Sequence, residues 1–296
     1  MSIPLFSIIT PCLNRAEFIF EAVESVLAQN YKDFEHIIID GGSTDGTLEL
    51  LERYPHLKIQ SDQDQGMYDA INKGLKLAKG EIIGFLNSDD LYAEDVFAIV
   101  AEKFKKQDTL AVAGEALIFS VSSDGVTNIV SNYSPQADNL LRISTIGDPY
   151  FNAWFFRRSI FKQTDKFDTS YRIIADREFM LRLALSGLHY ETISKLIYRY
   201  RKHPDSMTFD ITDHKLQSII DEHIFMTGTY LEKRNLPLEA RNLIRQLRTR
   251  DTSDMAVCSL RKFDFDKFIY YLQRGIKYDP LWLLSFTRRA LHINYG

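Results

Sequence analysis

The sequence predicts an α/β protein: a parallel sheet covered by helices on both sides, followed by a helical C-terminal region. Three observations carry that expectation. Short runs that are apolar on both faces alternate with helical patterns over the first hundred residues, as in strands buried on both sides. Three of these runs end in polar punctuation: Thr10-Pro11, Asp40-Gly41 and Asn87-Ser88-Asp89. Beyond about residue 211 the pattern turns helical and stays so, with breaks near 235–237 and at Pro280.

The elements follow in order. "LFSIIT" (5–10) is a β-branched run ending at Pro11. "AEFIFEAVESVLAQN" (16–30) repeats Phe18, Ala22, Val26 and Ile19, Val23, Leu27 at helical spacing. "FEHIII" (34–39) is a second strand, closed by Asp40-Gly41-Gly42. "TDGTLELLERY" opens a helix with Thr44 or Asp45 as its cap. "LKIQS" (57–61) is a weaker strand, and "MYDAINKGLKLAKG" (67–80) a helix stopped by Gly80. "IIGFL" (82–86) is a core strand, "AEDVFAIVAEKFKK" a helix, and "LAVAGEALIFS" a strand leading to a hairpin turn at "SSDGVTN". Residues 126–170 are aromatic-rich, with "YFNAWFFRRSIF" starting as strand and ending as helix. "DREFMLRLALSG" (176–187) is helical, and "HYETISKLIYRYR" reads as one or two strands.

With 296 residues the chain accommodates one large α/β domain and an appendage, or two domains. The boundary is placed near 210, giving a domain over 1–210 and a helical region over 211–296. The hydrophobic share of 45% and charged share of 26% are those of a soluble globular protein. A net charge of −4 argues against a general nucleic-acid binder. Cys12 and Cys258 have no metal-type spacing and read as free thiols of a reducing cytosol. The N-terminal "MSIPLFSIIT" lacks the basic region of a signal peptide, and no apolar run reaches the ~18 residues of a membrane span.

In a parallel sheet, ligands bind at the carboxyl ends of the strands, where the three polar strand ends converge. Adjacent carboxylates repel unless a positive group lies beside them. Asp89, with Asp90 or Asn87, is therefore a candidate holder of Mg²⁺ or Mn²⁺ against a diphosphate. For Asp90 the alternative is the cap of a helix starting near Leu91. Asp40 offers a carboxylate to a nucleobase or ribose, with Gly41 allowing close backbone approach; the alternative is a turn aspartate. Asp176 opens a helix, where the dipole favours an acid.

"FSIITPCLNRAEFIFEAVESVLAQNYKDFEHIIIDGGSTDGT" followed by "GMYDAINKGLKLAKGEIIGFLNSDD" resembles the family 2 glycosyltransferases. The resemblance covers about residues 5–210, with several motifs in order. It implies a GT-A fold, a Rossmann-like mixed and mostly parallel sheet flanked by helices, here with a C-terminal helical extension. It implies an inverting transfer from a nucleotide-diphosphate sugar, UDP first with GDP and dTDP open, to a saccharide or lipid-linked saccharide. Thr10, Pro11, Asn14, Asp40 and Gly41 would meet the nucleoside. Asn87-Ser88-Asp89 stands where the family has Asp-x-Asp, so Asn87 and Ser88 join the donor site and Asp89 and Asp90 the metal, Mn²⁺ or Mg²⁺. The first acid is replaced by an amide that carries no charge. Asp176 in "RIIADREFMLRL" matches the catalytic base. "YRYRKHPDSMT" resembles the loop over the diphosphate, with Arg201 toward phosphate and His203 toward metal or phosphate; a solvated basic loop is the alternative. Lys73 reaches the donor or remains an exposed lysine.

Three other functions were weighed. A haloacid-dehalogenase-type hydrolase needs its acid directly after the first strand, whereas Asp45 lies past the second. A sugar-phosphate nucleotidylyltransferase needs a glycine-rich loop that "TPCLNRAEF" lacks. A non-catalytic sugar-nucleotide binding module would bind without turnover. No Gly-x-Gly-x-x-Gly supports a dinucleotide site. The terminal "LWLLSFTRRALHINY" (281–295) either packs into a helical subdomain or homodimer, or lies in a membrane interface through Trp282 and its basic residues. The expected location is the cytoplasm, with the inner face of the plasma membrane as a possible site.

Overall fold

The computed structural model describes residues 5–135, 139–204, 206 and 213–292. The expected boundary near 210, and Asp205, Met207 and Thr208 of the loop assigned to the diphosphate, fall outside these residues. By contacts the chain forms two units: Met1–Leu140 with Pro149–Asp210, and Leu141–Asp148 with Ile211–Gly296.

In the first unit the strands are β1 (Phe6–Cys12), β2 (Phe34–Asp40), β3 (Leu57–Ser61), β4 (Ile82–Phe85), β5 (Leu91–Tyr92), β6 (Ala111–Val121), β7 (Thr127–Tyr133), β8 (Trp154–Arg157) and β9 (Tyr190–Arg201). Between them run α1 (Ile19–Leu27), α2 (Thr47–Leu51), α3 (Met67–Leu77), α4 (Val96–Phe104), α6 (Ile160–Gln163) and α7 (Ala175–Leu185), while α5 (Leu140–Thr145) belongs, but for its first residue, to the second unit. The sheet order is β3-β2-β1-β4-β8-β6-β9-β5, with β7 paired to β6. The half built from β1 to β4 is parallel, as the two-sided apolar runs require. Beyond β4 the sheet is mixed: β6 and β9 run parallel, and β8, β7 and β5 join antiparallel.

Every residue of β1 and β4 is buried. One face packs an aromatic cluster in which Phe6 stacks on Phe97 at 4.9 Å and meets Phe155 edge-on at 6.0 Å. Each such ring, withdrawn from water, contributes about 1.5–3 kcal/mol. At the amino edge, Glu35 is buried and accepts from the Ser7 hydroxyl, from Lys58, from Lys79 N–H at 2.6 Å and from Gly80 N–H at 3.2 Å. Burial opposes its ionisation, but these donors outweigh it and hold the carboxyl below its ordinary value.

Two expectations change in detail, and a third resolves to one of its alternatives. The helix expected from Leu91 starts at Val96, because Leu91–Tyr92 pairs with β9; Asp90 therefore caps no helix. α2 begins at Thr47, whose N–H donates to Asp45 Oδ1 at 3.1 Å. "HYETISKLIYRYR" is one strand, β9.

The second unit contains α8 (Asp213–Leu231), α9 (Leu238–Arg261), α10 (Phe265–Ile276) and α11 (Trp282–His292). Ile220, Ile224, Met255, Ala256, Tyr271 and Trp282 form its core. Of the two alternatives for Trp282, packing within the helical unit holds: it is fully buried, Nε1 donates to Thr252 Oγ1 at 2.8 Å, and the ring lies where any Cβ on Gly275 would be. Phe263, Phe265, Leu281, Leu283, Leu284 and Leu291 point outward. Among the described residues no helix is long and apolar enough to cross a membrane.

Candidate active site

The site is built at the carboxyl edge of the parallel strands. Register places Cys12 and Ser61 on either side of Asp40. Asp40 is fully buried, and its oxygens accept from Gly42 N–H and Ser43 N–H at 3.0 Å each, from Ser61 Oγ at 2.7 Å and from the Ser43 hydroxyl. Burial alone would raise its pKa; the donors reverse this and hold the carboxyl low. Asp40 thus shapes the loop after β2. The half-buried Asp64 lies close by: a Cβ on Gly41 would come 2.7 Å from Asp64 Oδ2, so the carboxylate packs against the glycine.

Asn14, in left-handed conformation at φ 51°, fastens the first loop to the second. Its N–H donates to Ser43 Oγ at 2.8 Å and its Oδ1 accepts from Thr44 N–H at 2.9 Å. Thr10 is buried with its hydroxyl 2.9 Å from His36 Nε2, and Pro11 is buried within β1. Lys73 donates to Gln63 O at 2.8 Å and pairs with Asp69 at 3.4 Å.

After β4 the turn Asn87-Ser88-Asp89-Asp90 sends its two carboxylates in different directions. Asp90 is buried; Oδ2 accepts from Tyr198 OH at 2.9 Å and Asn87 Nδ2 at 3.0 Å, and Oδ1 from Arg201 N–H at 2.7 Å. Burial, then the neighbouring Asp89 charge, push its pKa well above the carboxylate range. Ser88 is buried and hydrogen-bonds the Cys12 thiol, whose pKa burial pushes up to about 12. Asp89 keeps 17% of its side chain exposed, and its Oδ2 lies 3.0 Å from His203 Nε2 and 3.8 Å from Arg15 Nε.

Arg201 is no solvated loop residue. It is buried; Nε donates to Asp89 O at 3.0 Å, NH2 reaches Glu21 Oε2 at 2.9 Å, and the guanidinium lies against the rings of Phe18 and Phe119. The cation with open surface beside Asp89 is Arg15, 26% exposed.

Asp176 lies in the first turn of α7, partly exposed, with Arg177 N–H donating to Oδ1 at 2.7 Å and the Tyr68 hydroxyl as a further hydrogen-bond partner. Burial of the carboxyl dominates and raises its pKa. Tyr200 links it to the turn: burial first, then the charges of Asp90 and Asp176, raise this phenol far above its ordinary value.

The structure brings together Asp89, Asp90, Asn87, Ser88, His203 and Arg201 around the turn after β4, while Asp176 stands on α7 beside Tyr68. Asn14, Asp40 and Gly41 form a second group at the ends of β1 and β2. The side chains of Thr10 and Lys73 are engaged elsewhere. Among the described residues no three His, Cys, Asp or Glu side chains form a metal-holding group. The Asp89–His203 pair still supplies one carboxylate oxygen and one imidazole nitrogen. That suits a divalent cation taking its other ligands from diphosphate and water. Sequence reasoning missed Arg15, Glu21, Ser61, Asp64, Tyr68 and Tyr200. Only Asp64, an acid shortly after a strand, carried a local signal.

The family described as "Glycosyl transferase family 2" matches residues 7–164. The PGL/p-HBAD biosynthesis glycosyltransferase of Mycobacterium bovis (strain BCG / Pasteur 1173P2) is 35% identical over 189 residues, 62% of this chain and 70% of that one. S. aureus TarS matches in fold with a TM-score of 0.69 at 20% identity, over 98% of this chain; the chain spans only 53% of that protein. TarS 1-349 in complex with UDP-GlcNAc gives 0.67 at 20% identity, over 92% and 80%. The mannosyltransferase PcManGT from Pyrobaculum calidifontis, in complex with GDP-Man and Mn²⁺, gives 0.59 at 15% identity, over 98% and 88%.

Proposed function

Because this chain belongs to glycosyl transferase family 2 and has the GT-A fold, we propose that it moves one sugar, with inversion, from a nucleotide-diphosphate sugar to a saccharide or lipid-linked saccharide hydroxyl. A UDP-sugar is the first donor class, supported by the complex of TarS with UDP-GlcNAc. Bacterial polysaccharide or surface-glycan assembly is supported by the role in the mycobacterial relative's name.

One observation carries the reading: Asp89 Oδ2 and His203 Nε2 lie 3.0 Å apart beyond the end of β4, a carboxylate–imidazole pair placed to hold a cation. Gly41 and Asp64 border the nucleoside, and Asp40 holds their loop in shape. Asp89 and His203 would hold Mn²⁺ or Mg²⁺. A bound divalent cation supplies neutralisation of the charge on the departing diphosphate. Arg15 adds positive charge at the same edge. Asp176 takes the proton of the acceptor hydroxyl as its oxygen bonds the anomeric carbon, opposite the breaking bond to diphosphate. Its raised pKa strengthens it as a base. The outward apolar residues of α10 and α11 support a surface-contact role for the second unit, with vesicle cosedimentation and ultracentrifugation separating a membrane from a second copy of the chain.

The test is turnover of UDP-, GDP- and dTDP-sugars with Mn²⁺ or EDTA, with and without saccharide acceptors. The expected result is nucleotide release from one donor class, faster with acceptor and abolished by EDTA. Affinity without turnover would favour a binding module instead.

A further inference from the structure

We infer that Glu21 is a positioning residue for the cation site, acting through Arg201. The inference rests on the reading of Asp89 and His203 as holders of the cation.

Arg201 is the last residue of β9, and its polar contacts converge on the turn after β4. Its N–H holds Asp90 Oδ1 at 2.7 Å and its Nε–H holds Asp89 O at 3.0 Å. Both ends of the Asp89-Asp90 step are thus pinned by one arginine. A guanidinium 7% exposed needs a counter-charge, and Glu21 of α1 provides it at 2.9 Å. Phe18, at the start of α1, completes the grip: its ring lies 5.2 Å from the guanidinium carbon and 4.6 Å from the His203 ring. One turn of α1 therefore braces the backbone of Asp89 through Glu21 and Arg201, and the imidazole of His203 through Phe18. Asp89 Oδ2 and His203 Nε2 are held 3.0 Å apart between these supports.

Glu21 has 51% of its side chain exposed, so its substitution leaves the core intact. The test is calorimetric titration of UDP into E21Q, E21A and E21D at a series of Mn²⁺ concentrations, alongside donor KM, kcat and Tm. The expected result for E21Q is a rise of about fivefold in the Mn²⁺ concentration for half-maximal UDP binding, the scale of a partly exposed charge pair. E21A is affected at least as much, E21D recovers most of the loss, and Tm changes little. An unchanged Mn²⁺ midpoint in E21Q and E21A overturns the inference, as does a fall in Tm and kcat with that midpoint fixed. Wild-type protein binding UDP with no dependence on Mn²⁺ removes the cation reading and this inference with it.

Discussion

Glu35 and Asp176 are both shielded acids of the same unit, yet they are provided for in opposite ways. At the amino edge of the sheet, Glu35 is closed by Ser7, Lys58 and two backbone N–H groups, and its pKa is lowered. Asp176 accepts from the Arg177 N–H, from its own N–H and from the Tyr68 hydroxyl, yet burial outweighs these partners and its pKa is raised. A carboxylate whose partners are all supplied by the protein holds the fold. One whose burial outweighs its donors is suited to take a substrate proton.

The largest effect that would break this contrast belongs to Asp176. D176N is expected to lower transfer by about 10²-fold or more while donor binding stays near normal. Radiolabelled-sugar transfer together with donor titration measures both; normal transfer removes the assignment. Next comes D89N, expected to weaken Mn²⁺-dependent UDP binding by at least about 10-fold, because the pair with His203 loses its charged oxygen. Retained metal-dependent affinity would place the cation elsewhere. E35A tests the other edge: it is expected to lose about 2 kcal/mol of stability by leaving buried donors unpaired, with kcat per folded molecule unchanged. Denaturant melts and active-site titration separate the two.

The pH profile sharpens the comparison further. Asp176 must be ionised to accept a proton, and burial raises its pKa, so activity rises with pH through a value above the ordinary carboxylate range near 3.9. Glu35 has the opposite sign. Its folded pKa is depressed, so its stabilisation is present above the unfolded value of about 4.3 and is lost as pH falls through the folded one. Acidification is expected to extinguish transfer before it unfolds this part of the protein. Coincident loss of activity and near-UV circular dichroism would contradict that order.

Much of this architecture was legible in the chain. β1, β2 and β4 announced themselves because strands buried on both faces must be apolar throughout, and their polar ends marked the ligand edge. The contacts that decide which acid does what were not legible. Asp89 and Asp90 are adjacent and chemically identical, and only the pairing of Leu91–Tyr92 with β9 turns Asp90 inward to Tyr198 and Arg201. Arg201 read as a loop cation because Glu21, its partner, lies in a helix that only folding brings near. Asp40 drew attention as a strand-end acid, yet Ser43 and Ser61 occupy it, and its neighbour Asp64 became visible only once Gly41 was seen against it. Local pattern gives the strand ends; register between distant segments gives their roles.

The most direct measurement is the transfer rate and the UDP affinity of D89N and D176N, determined side by side with Mn²⁺ and with EDTA. Two acids dividing the labour at one donor require that D89N lose the Mn²⁺-dependent part of UDP affinity, while D176N keeps that affinity and loses transfer. If D176N abolished nucleotide binding while D89N left it and its response to EDTA intact, that division would be contradicted.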